Sequence, residues 1–156
     1  MDITPILYWT EWRNIEDSAE SNPAVYRIRL LKDKKPVVIP RWLKEDSEGV
    51  LYIGKNGDME KGRKRFLKGF EAGGALKNMG GHPASNMIYL LRKVNIKIES
   101  KDLEYSYYKT KEIEQFEGEA IVKYFKTHGE LPPLNSNFPK RKEWDNFISR
   151  SHEYGY

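Results

Sequence analysis

The sequence predicts an α+β fold, a small central antiparallel β-sheet of about three strands flanked by helices. Three observations predict it. Ala24–Leu31 (AVYRIRLL) and Val50–Lys55 (VLYIGK) are runs of β-branched and aromatic residues bounded by turn residues. Two later stretches, beginning at Met59 and near Ile113, repeat their apolar residues at helical spacing. The order is strand, strand, helix, a second short helix, strand, helix, which places two strands in succession and suits an antiparallel hairpin.

Met1 to Asn22 reads as an extension that closes on a Ser-Asn-Pro break. Ala24–Leu31 is the first strand. Lys32–Gly49 is a charged linker with a short apolar piece, Val37–Ile39, interrupted by Pro40. Val50–Lys55 is the second strand, left through the turn signal Asn56-Gly57. Met59, Phe66 and Phe70 then mark a basic helix to Ala72, ended by Gly73-Gly74. Gly80-Gly81-His82-Pro83 reads as a turn. Ser85 is a candidate cap for a short helix through Lys93, a stretch that also suits a strand. Within 96–109 the segments IKIES and LEYSYYKT alternate, and at least the second is expected to be a strand. Thr110 is the expected N-cap of the last helix. Its apolar stripe is Ile113, Phe116, Ala120, Ile121 and Tyr124, and His128-Gly129 stops it. Pro132-Pro133-Leu134-Asn135 reads as a rigid extended exit. A short terminal helix is expected around 143–149. The domain is thus placed at 23–136, with 1–22 as extension and 137–156 as a tail packing on it.

The 156 residues suit one domain. There is no cysteine, which excludes disulfides and thiolate metal sites and makes a reducing, cytoplasmic setting the expectation. The N-terminus lacks the basic and apolar regions of a signal peptide, and no run approaches the length of a membrane span. Net charge is +4. Between Lys55 and Lys77 seven basic residues stand against three acidic ones, so this one segment holds the whole excess. Such a face suits a polyanion, although an ordinary solvated helix face reads the same way on charge alone.

Several short motifs follow one another in a telling order. Ala24-Val25-Tyr26 lies on the first strand and Tyr52-Ile53-Gly54 on the second. Arg63 and Arg65 lie on the helix that follows, a glutamate on the last helix, and Asn135 after Pro133-Leu134. Over roughly 23–135 this order resembles the GIY-YIG endonuclease superfamily. YIG is matched in full, and AVY stands in the place of GIY with its tyrosine kept. The resemblance implies a GIY-YIG-like fold and a metal-dependent endonuclease of restriction or repair type. It would hydrolyse DNA phosphodiester bonds, with a homodimer as the form that cuts both strands. A nucleic-acid-binding module of the same fold without catalysis is the alternative.

The resemblance also implies roles for particular residues. Tyr26 and Tyr52 face one site, one of them acting as base or nucleophile, and a phenol with an ordinary pKa near 10 needs a cation beside it for that. Lys55, directly after YIG, is that cation. The phosphate-binding arginine is Arg63 or Arg65. Phe66 and Phe70 match the apolar +1 and aromatic +5 positions of the family pattern and favour Arg65, whose planar fork suits a phosphate. Arg63, Lys64 and Lys68 are then solvated contacts to DNA. The family's His or Tyr one turn after the arginine is Gly69 here, and His82 is the candidate replacement. The metal carboxylate is Glu117 or Glu119. Glu117 falls in the apolar stripe, whereas Glu119 falls near the polar edge. Because a carboxylate on an apolar face needs a cation, Glu117 is preferred. One carboxylate suits Mg²⁺ (or Mn²⁺) with mostly water ligands. Asn135, the family's closing residue, is expected to hold local backbone or the site wall, and is also placed among the nucleic-acid contacts. No phosphate loop or HExxH competes, and His82, His128 and His152 have no metal-ligand spacing.

Overall fold

The computed structural model describes residues 8–72, 82–142, 144 and 145. Its elements are β1 (Arg13–Asn14), β2 (Ala24–Lys32), β3 (Lys35–Pro36), β4 (Val50–Asn56), α1 (Met59–Ala72), α2 (Pro83–Lys93), a 3₁₀ turn (Ser100–Asp102), β5 (Leu103–Lys109) and α3 (Ile113–His128). The α+β class is as expected, with five strands among the described residues instead of about three, two of them only two residues long.

All pairings are antiparallel. β2 is central, with β5 on one side and β4 on the other, and β1 extends the sheet beyond β5. Its start, Ala24-Val25-Tyr26, is buried on both faces because helices cover both. On one face Tyr26, Ile28, Tyr105 and Tyr107 pack with Met59, Phe66, Phe70 and Ile88 of α1 and α2. On the other Val25 and Ile53 pack with Phe116, Ala120, Ile121 and Tyr124 of α3. The alternation of each strand divides its residues between these two cores.

Several sequence expectations change. Residues 8–22 are part of the sheet unit. The Thr10 amide donates to the Tyr107 carbonyl, Ile15 donates to Leu103, and the Ile15 side chain enters the core. The linker holds a tight hairpin: Asp33 and Lys34 both take positive φ, as a type I′ turn requires, and fold β3 back on β2. Its other anchor is Asp46, a buried carboxylate. Asp46 accepts from the amides of Glu48, Gly49 and Val50 and from the Tyr124 hydroxyl, tying the loop to β4 and α3.

Helix starts differ as well. Asp58 caps α1 by accepting from the Lys61 amide. α2 begins at Pro83, two residues before the expected Ser85 cap, because proline suits the first helical position. Ser85 instead donates to the His82 carbonyl. α3 begins at Ile113, after Glu112, so Thr110 is not its cap. The IKIES segment is not a strand, and LEYSYYK forms β5. The proline exit is a turn, closed by the Asn135 amide donating to Pro132, with Leu134 donating to Leu51 on β4. In the tail Phe138 and Trp144 pack edge-on against Phe125 of α3. The glycine pairs at 73–74 and 80–81 lie outside the described residues, and so does most of the expected terminal helix. No helix among the described residues is long and apolar enough to cross a membrane.

Candidate active site

Gly54 lets two tyrosines share one face. Tyr26 on β2 stands opposite Gly54 on β4, and Tyr52 lies two residues before it on the same strand face. A Cβ on Gly54 would come within 2.5 Å of the Tyr52 ring and 3.0 Å of the Tyr26 hydroxyl. The two rings therefore fill the space over that glycine, 6.0 Å apart between centres.

His82 joins them from the start of α2. Its ring lies 5.1 Å from Tyr52 and 5.2 Å from Phe66, edge-on to both. The Tyr26 hydroxyl is hydrogen-bonded to His82 Nε2, and its titration and that of Tyr52 act on each other, while His82 Nδ1 is buried without a partner. Burial, helped by the charge of Arg65, pulls the His82 pKa to about 4, so the imidazole is neutral at pH 7. Burial, with Tyr52 and the charge on Glu117, pushes the Tyr26 phenol well up, and Arg65 opposes this. Burial and Glu117 also raise Tyr52, against Tyr26, Lys55 and Arg65. Both phenols hold their protons at neutral pH.

The position one turn after Arg65 is glycine because α2 crosses there. A Cβ on Gly69 would stand 2.3 Å from Ser85 Oγ. The close crossing sets the start of α2, and with it His82, against the tyrosines.

α1 separates its two arginines. Arg63 is turned inward, bonded to Glu60 and to the carbonyls of Ile15 and Glu16. It is only 6 % exposed, which corrects the expectation of a solvated arginine available to DNA. Arg65 is exposed, yet its charge acts on Tyr26, Tyr52 and His82. Lys61, Lys64 and Lys68 are exposed too, and with Arg65 they follow the i, i+3, i+4, i+7 spacing of one helix face.

Lys55 and Glu117 meet at the edge strand. Lys55 Nζ donates to Glu117 Oε2 at 2.6 Å and is also paired with Glu114, one turn earlier on α3. Burial works to lower the Lys55 ammonium, but the bonds and charges of Glu114 and Glu117 outweigh it and raise its pKa to about 12. Lys55 is thus a firmly protonated cation, not a group poised to take a proton. The spacing of Glu114 and Glu117, three residues apart on one helix face, was the signal in the sequence for Glu114.

Glu119 corrects the helical-wheel reading. It is buried beside Val122 and accepts from Gln115 Nε2, so α3 is enclosed well beyond its sheet-facing stripe. Asn135 holds local backbone, as expected, and its side-chain amide is occupied there. Its amide accepts from the Ile53 amide and donates to the Ile53 carbonyl, completing the open edge of β4 as a further strand would.

Tyr52, Lys55, Glu114, Glu117 and Asn135 line one cleft of about 510 Å³. Tyr26 stands behind Tyr52, only 3 % exposed. No group of three or more His, Asp or Glu able to hold a metal occurs among the described residues. Glu114 and Glu117 are carboxylates of the kind that one hard divalent ion takes together with water, and here both are paired with the sheet lysine Lys55. A hydroxyl chain ending on a neutral imidazole can move a proton, and the basic helix face can hold an anion.

No protein-family model, curated protein or solved structure matches the chain.

Proposed function

We propose that the chain is a metal-dependent endonuclease of the GIY-YIG type that hydrolyses DNA phosphodiester bonds. One observation carries this reading. Groups from β2, β4, α1, α2 and α3 gather at one end of the edge strand: Tyr26, Tyr52 with Lys55, Arg65, His82 and Glu117. The exposed stripe Lys61, Lys64, Arg65 and Lys68 supports it further, since it offers a charged track to a phosphate backbone.

The chemistry follows from these groups. The Tyr52 oxygen faces the cleft and accepts a proton from water as that water attacks phosphorus in line. The two hydroxyls turn so that Tyr52 gives its own proton to Tyr26 and Tyr26 gives one to the neutral Nε2 of His82. The relay suits phenols whose pKa values are raised, because neither has to exist as a free phenolate. Arg65 binds the phosphate and bears charge that develops on its oxygens. Glu117, with Lys55 moved aside, would hold a Mg²⁺ or Mn²⁺ ion, and the ion would supply a Lewis acid. The 3′ oxygen leaves and takes a proton from solvent.

Cleavage of supercoiled plasmid in Mg²⁺ tests the reading. The wild type nicks and linearises it, and Glu117→Gln loses cleavage on the order of 10²–10³-fold, the scale of several kcal/mol of charge stabilisation. Glu119→Gln retains cleavage in whatever fraction remains folded. Strongly salt-dependent DNA binding with no cleavage under any divalent ion would replace this reading with that of a binding module.

A further inference from the structure

The geometry points to Glu114 as a positioning residue that receives the Lys55 ammonium when a divalent cation takes Glu117. This rests on the reading of Glu117 as the metal carboxylate. Lys55 Nζ touches both glutamates at once, and an ammonium with three donors can give up one partner while keeping the other. The two partners differ in place. Glu117 is the inner one, 21 % exposed in its side chain, whereas Glu114 is the outer one at 70 %.

A divalent ion on the Glu117 oxygens would stand within a few ångströms of the ammonium now bonded there. At that distance like charges repel strongly, so binding requires exchange of one cation for another. Without Glu114 the displaced ammonium would have no counter-charge at the cleft wall, and Glu117 would hold it more tightly. With Glu114 it swings outward along a path already half made. Lys55 stays beside the cleft, near Tyr52, and gives up its bond to Glu117. Glu114 thus acts on the metal through Lys55 and does not ligate it.

Mn²⁺ affinity of the purified chain, read by electron paramagnetic resonance of the free ion, separates the possibilities. Glu117→Gln sets the baseline. If it binds Mn²⁺ as the wild type does, the metal reading itself is wrong and this inference goes with it. If it does not, Glu114→Gln is expected to weaken Mn²⁺ binding about three- to fivefold, the scale of an exposed ion pair. Lys55→Met should tighten binding by removing the competing cation. In the Lys55→Met background Glu114→Gln should then have little effect. An equal loss in both backgrounds would make Glu114 a ligand or a simple field effect, and no loss in either would give it no role. Both outcomes overturn the proposal.

Discussion

Tyr26 and His82, 56 residues apart, are joined by a hydrogen bond inside a site from which solvent is nearly excluded. A buried phenol meets one nitrogen of a buried imidazole there, and the imidazole is the group able to accept a proton. If the pair works as one relay, removing either end should cost about the same. Tyr26→Phe and His82→Gln are each expected to slow DNA cleavage by roughly 10²–10⁴-fold. The double variant should be little worse than the worse single one, because groups acting as a unit are not additive. Multiplying losses in single-turnover cleavage would mean that the two residues act separately.

The same histidine makes stability depend on pH. Its pKa is about 4 in the folded chain against an ordinary 6.5. Between these values the unfolded chain binds the proton and the folded chain does not, so stability rises with pH across the window. The contribution is fully present above 6.5, is lost as pH falls, and is gone below about 4. Its size is about 3 kcal/mol. Glu60, lowered to about 2 mainly by its bond to Arg63, acts in the same sense but in a lower window. Urea unfolding at a series of pH values should therefore show a slope between 4 and 6.5 that flattens in His82→Gln. A slope unchanged by that substitution would place its origin elsewhere.

Arg63 and Arg65 should separate stability from activity. Arg63→Ala leaves Glu60 short of its partner and strips the donor from the buried Ile15 carbonyl and the part-buried Glu16 carbonyl, a loss of about 3 kcal/mol or more with lowered Tm. Arg65 is exposed, so Arg65→Ala should leave Tm nearly unchanged while cleavage drops by 10²-fold or more. Its DNA affinity should fall and its salt slope shrink by about one unit. Equal cleavage by the two variants, compared at equal folded fraction, would exchange their roles.

These contrasts mark how far the residues could be read before the fold was seen. Helical period placed α1 at 59–72, and the flanking Phe66 and Phe70 favoured Arg65 over Arg63. The burial of Arg63 was illegible because its acceptors, Ile15 and Glu16, come from 47 and 48 residues away, in a segment that reads as an extension. The enclosure of Glu119 was illegible for a related reason. A wheel counts the apolar stripe against one partner, and α3 is covered on more than one side. The hairpin at Asp33-Lys34 lacks the glycine that usually announces positive φ. His82 could be named as the replacement for the histidine or tyrosine that the resemblance expects one turn after Arg65, but its contact with Tyr26 depends on where α2 starts and on Gly69 beneath it.

Gly54 offers the sharpest separation of site from scaffold. An alanine there brings a Cβ within 2.5 Å of the Tyr52 ring and 3.0 Å of the Tyr26 hydroxyl. Tyr26 is enclosed in the core and has no room to yield, whereas Tyr52 is half-buried at the cleft and can swing outward. The strain should therefore be relieved at Tyr52, for about 1–3 kcal/mol of stability, or a Tm lower by roughly 2–12 °C in a domain of this size. The larger effect should fall on cleavage, since a displaced Tyr52 breaks the link between the cleft and Tyr26. Gly57→Ala is the control, because nothing lies within 4 Å of a Cβ placed there. Gly54→Ala is expected to lose cleavage by at least 10²-fold when assayed well below its Tm, with Gly57→Ala close to wild type. If Gly54→Ala were destabilised yet cleaved normally once folded, Tyr52 would not be on the path of the proton, and water would have to reach its base by another route.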